Sequence, residues 1–285
     1  PNSKQRSAIE HPPSPLMILA GAGTGKTFTL ENRIVYQIKE YKVDPKHLLA
    51  ITYTEKAAKE LKNRVIEKVG AKAHSMTVNT FHAFCYKLLR DNDFSSKQLL
   101  DESEAVHMFL TRFDELKPFE STEFPLDPQR AITESFMPFF NRMRDELIDP
   151  EKVKVSQLKD DDTLTNETRQ QLSDLKRIYP LFQSWKEELN VVDYGDMILS
   201  AYQMISTNKS ILKNIQDNYR HIVIDEFQDN NFALNEIVNL IAGKRNYVTA
   251  VGDDDQVIYS FRGANNFNIQ AFRERYGDHE KYQSI

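Results

Sequence analysis

The chain has 285 residues, 40% hydrophobic and 28% charged, which excludes a disordered or collagen-like polymer and supports one large or two medium domains. Its net charge of −5 gives no global basic surplus, and a single cysteine, Cys85, excludes a disulfide framework or a CxxC metal site, fitting a reducing, cytoplasmic compartment. No apolar run reaches membrane-spanning length and Pro1 to Glu10 is polar rather than signal-like, so no membrane partner is expected.

The first buried strand is read at Leu16-Met17-Ile18-Leu19, a short apolar run bounded by turn and polar residues. Directly after it comes Ala20-Gly21-Ala22-Gly23-Thr24-Gly25-Lys26-Thr27, then a helical run from Phe28 to Ile38. A loop of this kind aims successive backbone N–H groups at phosphate oxygens and delivers them to a helix N-terminus. In such a cradle Lys26 would neutralise the β- and γ-phosphates of a nucleotide, and the Thr27 hydroxyl would ligate Mg²⁺. The general pattern has glycine where this chain has Ala20, with Gly21 and Gly23 supplying conformational freedom nearby.

A second strand is read at Leu48-Leu49-Ala50-Ile51, and Ser75 to Val78, leading into Thr80, gives another. From Thr52 to Arg90 eight cations face three anions, a local surplus of five inside an acidic chain. A solvated helix face accounts for such a run as readily as a nucleic-acid surface does.

All nine glycines lie outside 71–194, and that stretch shows helical spacing at Ala105, Met108, Phe109, Leu116 and again at Leu172, Leu175, Ile178, Leu181, Phe182, Trp185, Leu189. Strand-turn-helix units need glycine at tight turns, whereas a helical bundle does not. Residues 86–189 are therefore expected to form a mostly helical insertion between two parts of one α/β domain, 1–85 and 190–285, with Asp160-Asp161-Asp162-Thr163 as a solvated loop.

The last two strands are read at Ile222-Val223-Ile224 and Tyr247-Val248-Thr249-Ala250-Val251. Continuous apolar strands alternating with helices predict a parallel sheet covered on both faces. The first of the two ends in Asp225-Glu226-Phe227-Gln228-Asp229. Neighbouring carboxylates on an extended segment point to opposite sides, so Asp225 can face Mg²⁺ while Glu226 serves as a base.

With these pieces in order, the chain resembles the N-terminal half of the UvrD/Rep/PcrA-type helicases of superfamily 1. Asn2-Ser3-Lys4-Gln5-Arg6 resembles the motif whose glutamine reads adenine, and Ala20 to Thr27 matches the family's phosphate loop, including its leading alanine. Thr52-Tyr53-Thr54-Glu55-Lys56-Ala57-Ala58 and Thr80-Phe81-His82-Ala83-Phe84-Cys85 are similar to two motifs that contact single-stranded DNA. Asp193-Tyr194-Gly195-Asp196-Met197 resembles the segment where the chain re-enters the motor domain. Asp225 to Asp229 matches the acidic box, and Val251 to Ala264 the motif linking the γ-phosphate to DNA.

The resemblance implies a RecA-like P-loop domain with a helical insertion, acting with ATP and Mg²⁺. It implies Gln5 at the adenine, Lys26, Glu226 and Gln256 in catalysis, and Tyr53, Thr80, Phe81, His82, Tyr259, Phe261 and Arg262 on DNA. Aromatic faces stack on any base, which suits a motor that walks regardless of sequence. Two departures stand out: Phe28 follows Thr27 where relatives carry arginine near the adenine, and Phe261 stands where tryptophan is common. The implied parent translocates 3′ to 5′ on single-stranded DNA and acts at single/double-strand junctions. It is completed by a second motor domain expected beyond Ile285, so the chain alone is expected to be poorly active. Two other readings are the motor part of an AddA/RecB-like helicase-nuclease and a non-catalytic DNA-binding scaffold with a relic fold.

Overall fold

The computed structural model describes residues 1–21, 23–92, 97–153, 164–245, 247–253, 265–277 and 282–284. The chain runs α1 (Ser3–Glu10), β1 (Leu16–Leu19), α2 (Lys26–Lys39), β2 (Leu48–Thr52), α3 (Glu55–Val69), β3 (Thr77–Thr80) and α4 (Phe81–Arg90). Next come β4 (Gln98–Leu99), α5 (Glu102–Thr111) and α6 (Pro128–Arg130), which passes through a π-helical turn into α7 (Met137–Asp145). Then follow α8 (Asn166–Glu188), β5 (Val191–Val192), α9 (Tyr194–Thr207), α10 (Lys209–Asn218), β6 (His221–Ile224) and α11 (Phe232–Ala242). The last elements are β7 (Val248–Gly252), α12 (Asn265–Tyr276) and β8 (Tyr282–Ser284). Two compact units result, one of Pro1–Lys87 with Ala201–Ile285, the other of Leu88–Ser200. The solvated loop expected at 160–163 lies outside the described residues.

In the first unit six strands form one sheet in the order β3-β2-β6-β7-β1-β8, and every pairing is parallel. Parallel strands need covering on both faces, and the burial pattern follows. Leu16, Ile18, Leu48, Ala50, Val223 and Val251 pack in one core with Leu30, Ile34 and Ile38 of α2 and Leu61 and Val65 of α3. The alternate residues Met17, Leu49, Ile51, Ile222 and Ile224 are just as buried, because successive side chains leave a strand on opposite faces. The helices begin where local chemistry allows. Asn2 and Gln5 form a reciprocal capping box on α1, and the Thr54 hydroxyl accepts from the Ala57 N–H to cap α3.

Among its described residues the regular structure of the second unit is helical apart from two short strands, β4 and β5, paired in parallel. Its core is aromatic. The Phe109 ring lies 4.6 Å from Phe182, 5.6 Å from both Phe136 and Trp185, and 6.2 Å from Phe140, centroid to centroid. Beside this core sits a buried ion group. Arg144 Nη1 donates to Asp193 at 2.6 Å and to Asp196 at 2.9 Å, and Lys186 Nζ donates to Asp193 at 2.9 Å and also to Asp196. Two cations against two carboxylates leave no net buried charge, the condition under which such a group is tolerated. Burial alone would raise the Asp193 carboxyl, but Arg144 and Lys186 outweigh it and hold it down at about 2. A side chain on Gly195 would meet Arg144 Nε at 2.6 Å, so the guanidinium's approach requires glycine there.

Phe109→Ala should remove about 3–5 kcal/mol from the stability of the helical unit, since the ring is fully buried and touches four others. The one tryptophan, Trp185, sits in that core, so its fluorescence during urea unfolding measures the loss directly. A midpoint unchanged from wild type would contradict this packing.

Candidate nucleotide site

Parallel pairing sets the ends of the strands level. Leu19 of β1 pairs with Gly252 of β7, Ile224 of β6 with Ala250 of β7, Ile51 of β2 with Ile224, and Thr52 of β2 with Thr80 of β3. The segments after β1, β2, β3, β6 and β7 therefore leave the sheet at one edge, the carboxyl end, where open α/β sheets bind ligands. Each segment carries a stretch singled out in the sequence.

After β1, the Ala20 N–H donates to Gly252 O at 3.0 Å, and the Thr24 hydroxyl donates to Gly21 O at 2.8 Å, folding the loop on itself. Gly25, at φ +92°, turns the chain into α2 through the left-handed region that favours glycine. With no side chain at the cap, the first N–H groups of α2 have no side-chain partner and carry the positive end of the helix dipole. Thr27 is exposed in that first turn. Ala22 lies outside the described residues.

Lys26 Nζ donates to Glu226 Oε2 at 3.1 Å and to Asp253 Oδ2 at 3.2 Å. Burial pulls the Lys26 ammonium's pKa down, but hydrogen bonds and charge from the two carboxylates outweigh that and leave it raised. Glu226 adopts a left-handed backbone (φ 49°, ψ 47°), a local cost that surrounding bonds offset. Gln228, itself buried, supplies them: its Nε2 donates to Glu226 Oε2 at 2.8 Å, and its Oε1 accepts the Asp253 N–H at 3.2 Å. A Cβ at Gly252 would sit 3.2 Å from Gln228 Oε1, so glycine lets that side chain lie close to β7. From α12, Asn268 Nδ2 donates to Gln228 O at 3.1 Å and Asn230 O at 2.6 Å, pinning the turn after Glu226.

Asp225 extends the β6 ladder through its N–H to Ile51 O at 2.9 Å, and its Oδ1 accepts the Glu226 N–H at 3.1 Å. Burial first, and the neighbouring Glu226 charge second, push its carboxyl up to about 6. Such a carboxylate gains from a cation placed beside it. Among the described residues no group of three or more His, Cys, Asp or Glu could hold a metal ion alone.

Gln5 reaches the loop from α1. Its Nε2 donates to Thr24 O at 3.0 Å and its Oε1 accepts the Asn2 N–H at 2.9 Å. The helix carrying it is fixed by Arg33 of α2, which is fully buried. Arg33 Nη1 donates to Ala8 O at 2.9 Å and His11 O at 2.8 Å, and its Nε donates to Thr249 Oγ1 at 2.8 Å. Desolvation lowers this guanidinium to about 10, well above neutrality, so it stays charged against the carbonyl end of α1.

After β2 and β3 lie the residues expected to meet DNA. Tyr53 is 71% exposed and His82 is exposed, but Phe81 is only 8% exposed. At the first position of α4, Phe81 lies on the inward face with Phe84, whose ring packs on Tyr219 at 5.5 Å. The Thr80 hydroxyl accepts the Ala83 N–H at 3.2 Å and so caps α4. Of the basic stretch, Arg64 and Lys68 pair with the buried Glu31 at 3.7 and 2.6 Å and so serve the packing of α3 on α2. Lys56 and Lys59 remain exposed. Gln256, Tyr259, Phe261 and Arg262 lie outside the described residues. Sequence reasoning missed Asp253 as a partner of Lys26, although a carboxylate directly after an apolar strand was the same signal that marked Asp225. It also missed Gln228 and Arg33, whose roles depend on burial that no local pattern announces.

Residues 1–277 match the UvrD/REP helicase N-terminal domain. The chain is 33% identical to DNA helicase II of Rickettsia typhi over 273 residues, covering 96% of this chain and 40% of the relative. It is 31% identical to DNA helicase II of Escherichia coli, covering 95% of this chain and 36% of the relative. To the ATP-dependent DNA helicase PcrA of Staphylococcus epidermidis it is 32% identical, covering 96% and 36%. The chain thus spans well under half the length of these relatives.

Arg33→Ala should strip buried carbonyl partners from the end of α1, costing roughly 1–3 kcal/mol for each unsatisfied group. Hydrogen exchange should then quicken in α1 well before it does in α11. Equal protection of α1 in variant and wild type would contradict the role given to Arg33.

Proposed function

The chain belongs to the UvrD/REP helicase family, matching its N-terminal domain, and from that premise we propose that it is the ATP-binding half of an ATP-dependent, 3′-to-5′ single-stranded-DNA translocase and helicase. The observation that carries this reading is Lys26 held between Glu226 and Asp253 at the carboxyl edge of the sheet. Loop amides, the uncapped end of α2 and the Lys26 ammonium together make a preorganised anion site. When a triphosphate enters, Lys26 exchanges carboxylate oxygens for those of the β- and γ-phosphates. That exchange releases Glu226 Oε2 from Lys26, while the bond that Gln228 Nε2 donates to the same oxygen keeps the side chain in place. Glu226, about one-third exposed, then takes the proton of the attacking water at its carboxylate.

The Thr27 hydroxyl and the Asp225 carboxylate would hold Mg²⁺, and the desolvated state of Asp225 fits a cation's presence. That ion, when bound, neutralises phosphate charge. Gln256 reports the γ-phosphate to the DNA side. On that side Tyr53, Thr80 and His82 contact a single strand with Tyr259, Phe261 and Arg262, while Phe81 supports them from the core. The compact unit Leu88–Ser200 is the inserted helical subdomain of the motor. A second motor domain of the parent completes the γ-phosphate site, and single/double-strand junctions in the cytoplasm are where the parent acts. Among the described residues no helix is long and apolar enough to cross a membrane.

The 285 residues alone should bind Mg·ATP modestly, hydrolyse it slowly and fail to unwind DNA. In the parent protein, single-stranded DNA should stimulate ATP hydrolysis, and Lys26→Ala should lower the stimulated rate by about 10² or more. Equal stimulated rates in parent and variant would overturn the motor reading and favour a scaffold.

A further inference from the structure

The two carboxylates that hold Lys26 differ in their surroundings. The Glu226 side chain is 34% exposed, whereas that of Asp253 is only 2% exposed. Water screens the first contact, and Gln228 Nε2 shares the Glu226 oxygen that Lys26 uses. The Asp253 contact, at 3.2 Å, lies where solvent is excluded from the carboxylate and Coulomb attraction is correspondingly stronger. Asp253 is also fixed in place. Its N–H donates to Gln228 Oε1 at 3.2 Å, and the Gly252 carbonyl just before it accepts the Ala20 N–H at 3.0 Å. The second of these bonds ties the end of β7 to the start of the phosphate loop, so carboxylate and cradle keep one spacing. Lys26, on a flexible four-carbon stem, is the movable member of the pair.

Phosphate oxygens and Asp253 therefore compete for one ammonium. Drawing a cation away from a buried carboxylate is costly, and that cost is subtracted from whatever the phosphates gain on meeting Lys26. Both carboxylates raise the Lys26 pKa in spite of burial, the sign of net attraction between them. We propose that Asp253 is an internal competitor for Lys26, which weakens polyphosphate binding and, by recapturing the ammonium, speeds the departure of the phosphates from the cradle. Loop amides and a lysine at a helix N-terminus form a strong anion trap, and a motor must empty it once in every cycle. Asp253 acts on the ligand through Lys26, so it is a positioning residue rather than a catalytic one. The proposal rests on the nucleotide reading above and adds the regulation of that site.

The test uses the whole chain without divalent metal, so that the readout concerns Lys26 and the carboxylates alone. Calorimetry gives the Kd of inorganic tripolyphosphate, and stopped-flow fluorescence gives the release rate of a fluorescent ADP derivative. Asp253→Asn keeps the shape and removes the charge. It should tighten tripolyphosphate by about tenfold, the worth of one charge-assisted bond, and slow release of the ADP derivative by a similar factor. A residue that merely supported the fold would weaken binding when replaced. Asp253→Ala removes the same carboxylate and should shift both readings in the same direction, which covers an amide variant that does not fold. Asp229→Asn, which removes an equal charge within electrostatic reach of Lys26, should change the affinity by less than about twofold. Unchanged or weaker tripolyphosphate binding in a folded Asp253 variant overturns the proposal and leaves the nucleotide site standing. An equal gain from Asp229→Asn also overturns it, since a general field would then account for the effect. Tighter binding with an unchanged release rate overturns the recapture step. Wild type that binds neither tripolyphosphate nor the ADP derivative would instead remove the nucleotide reading, and the proposal with it.

Discussion

One cation between two carboxylates organises the carboxyl edge of this sheet. Lys26 is 200 residues from Glu226 and 227 from Asp253 in sequence, yet its ammonium lies 3.1 and 3.2 Å from them. Parallel register makes that possible: β7 pairs with β1 on one side and β6 on the other, so the three strand ends are level. The local balance is one positive charge against two negative ones, with a third carboxylate, Asp225, raised towards 6 by burial and by Glu226. Such a cluster is held together by Lys26 but is not neutral, and a bound divalent cation would relieve the excess. The proposed nucleotide would offer phosphate oxygens to Lys26, and a metal ion would offset the charge of the carboxylates.

The surrounding contacts brace that arrangement. Gln228 ties Glu226 to the backbone of Asp253, Gly252 leaves room for it, and Asn268 anchors the turn from α12. Asn268 lies on the helix that follows residues 254–264, the segment expected to couple nucleotide to DNA. On the other flank of β6 comes β2, and beyond it β3, with Tyr53 and Thr80 at their ends. With neighbouring strands about 4.8 Å apart, β2 stands only about 10 Å from β7 across β6. A short lateral path thus connects the phosphate site to the residues proposed to touch a single strand.

Much of this was legible in the sequence because the responsible signals are local. Four continuous apolar runs became β1, β2, β6 and β7 within a residue or so, since strands buried on both faces cannot hide their composition. The loop from Ala20 to Thr27 and the pair Asp225-Glu226 were visible as residue types fixed to strand ends. What escaped depends on long-range packing. Tyr282-Gln283-Ser284 carries no apolar run, yet it pairs with β1 as an edge strand. Arg33 is one cation in an amphipathic helix until the carbonyl end of α1 is folded onto it. Asp193 and Asp196 carried weight as a motif, while their ion group with Arg144 and Lys186 joins residues up to 52 positions apart. Phe81 sits in a motif read as touching nucleic acid, yet its ring is mostly buried, which depends on packing that the motif alone does not announce.

The central claim is that Lys26 is the phosphate-binding cation held ready by Glu226 and Asp253. It is tested most directly by NMR of the chain labelled at lysine Cε, following the Lys26 resonance through a pH titration and on addition of tripolyphosphate. The account predicts titration above the ordinary lysine value of 10.5, a fall when Glu226→Gln and Asp253→Asn are combined, and a Lys26 resonance among the first to move as tripolyphosphate is added. A Lys26 that titrates at or below that value and ignores tripolyphosphate would contradict it.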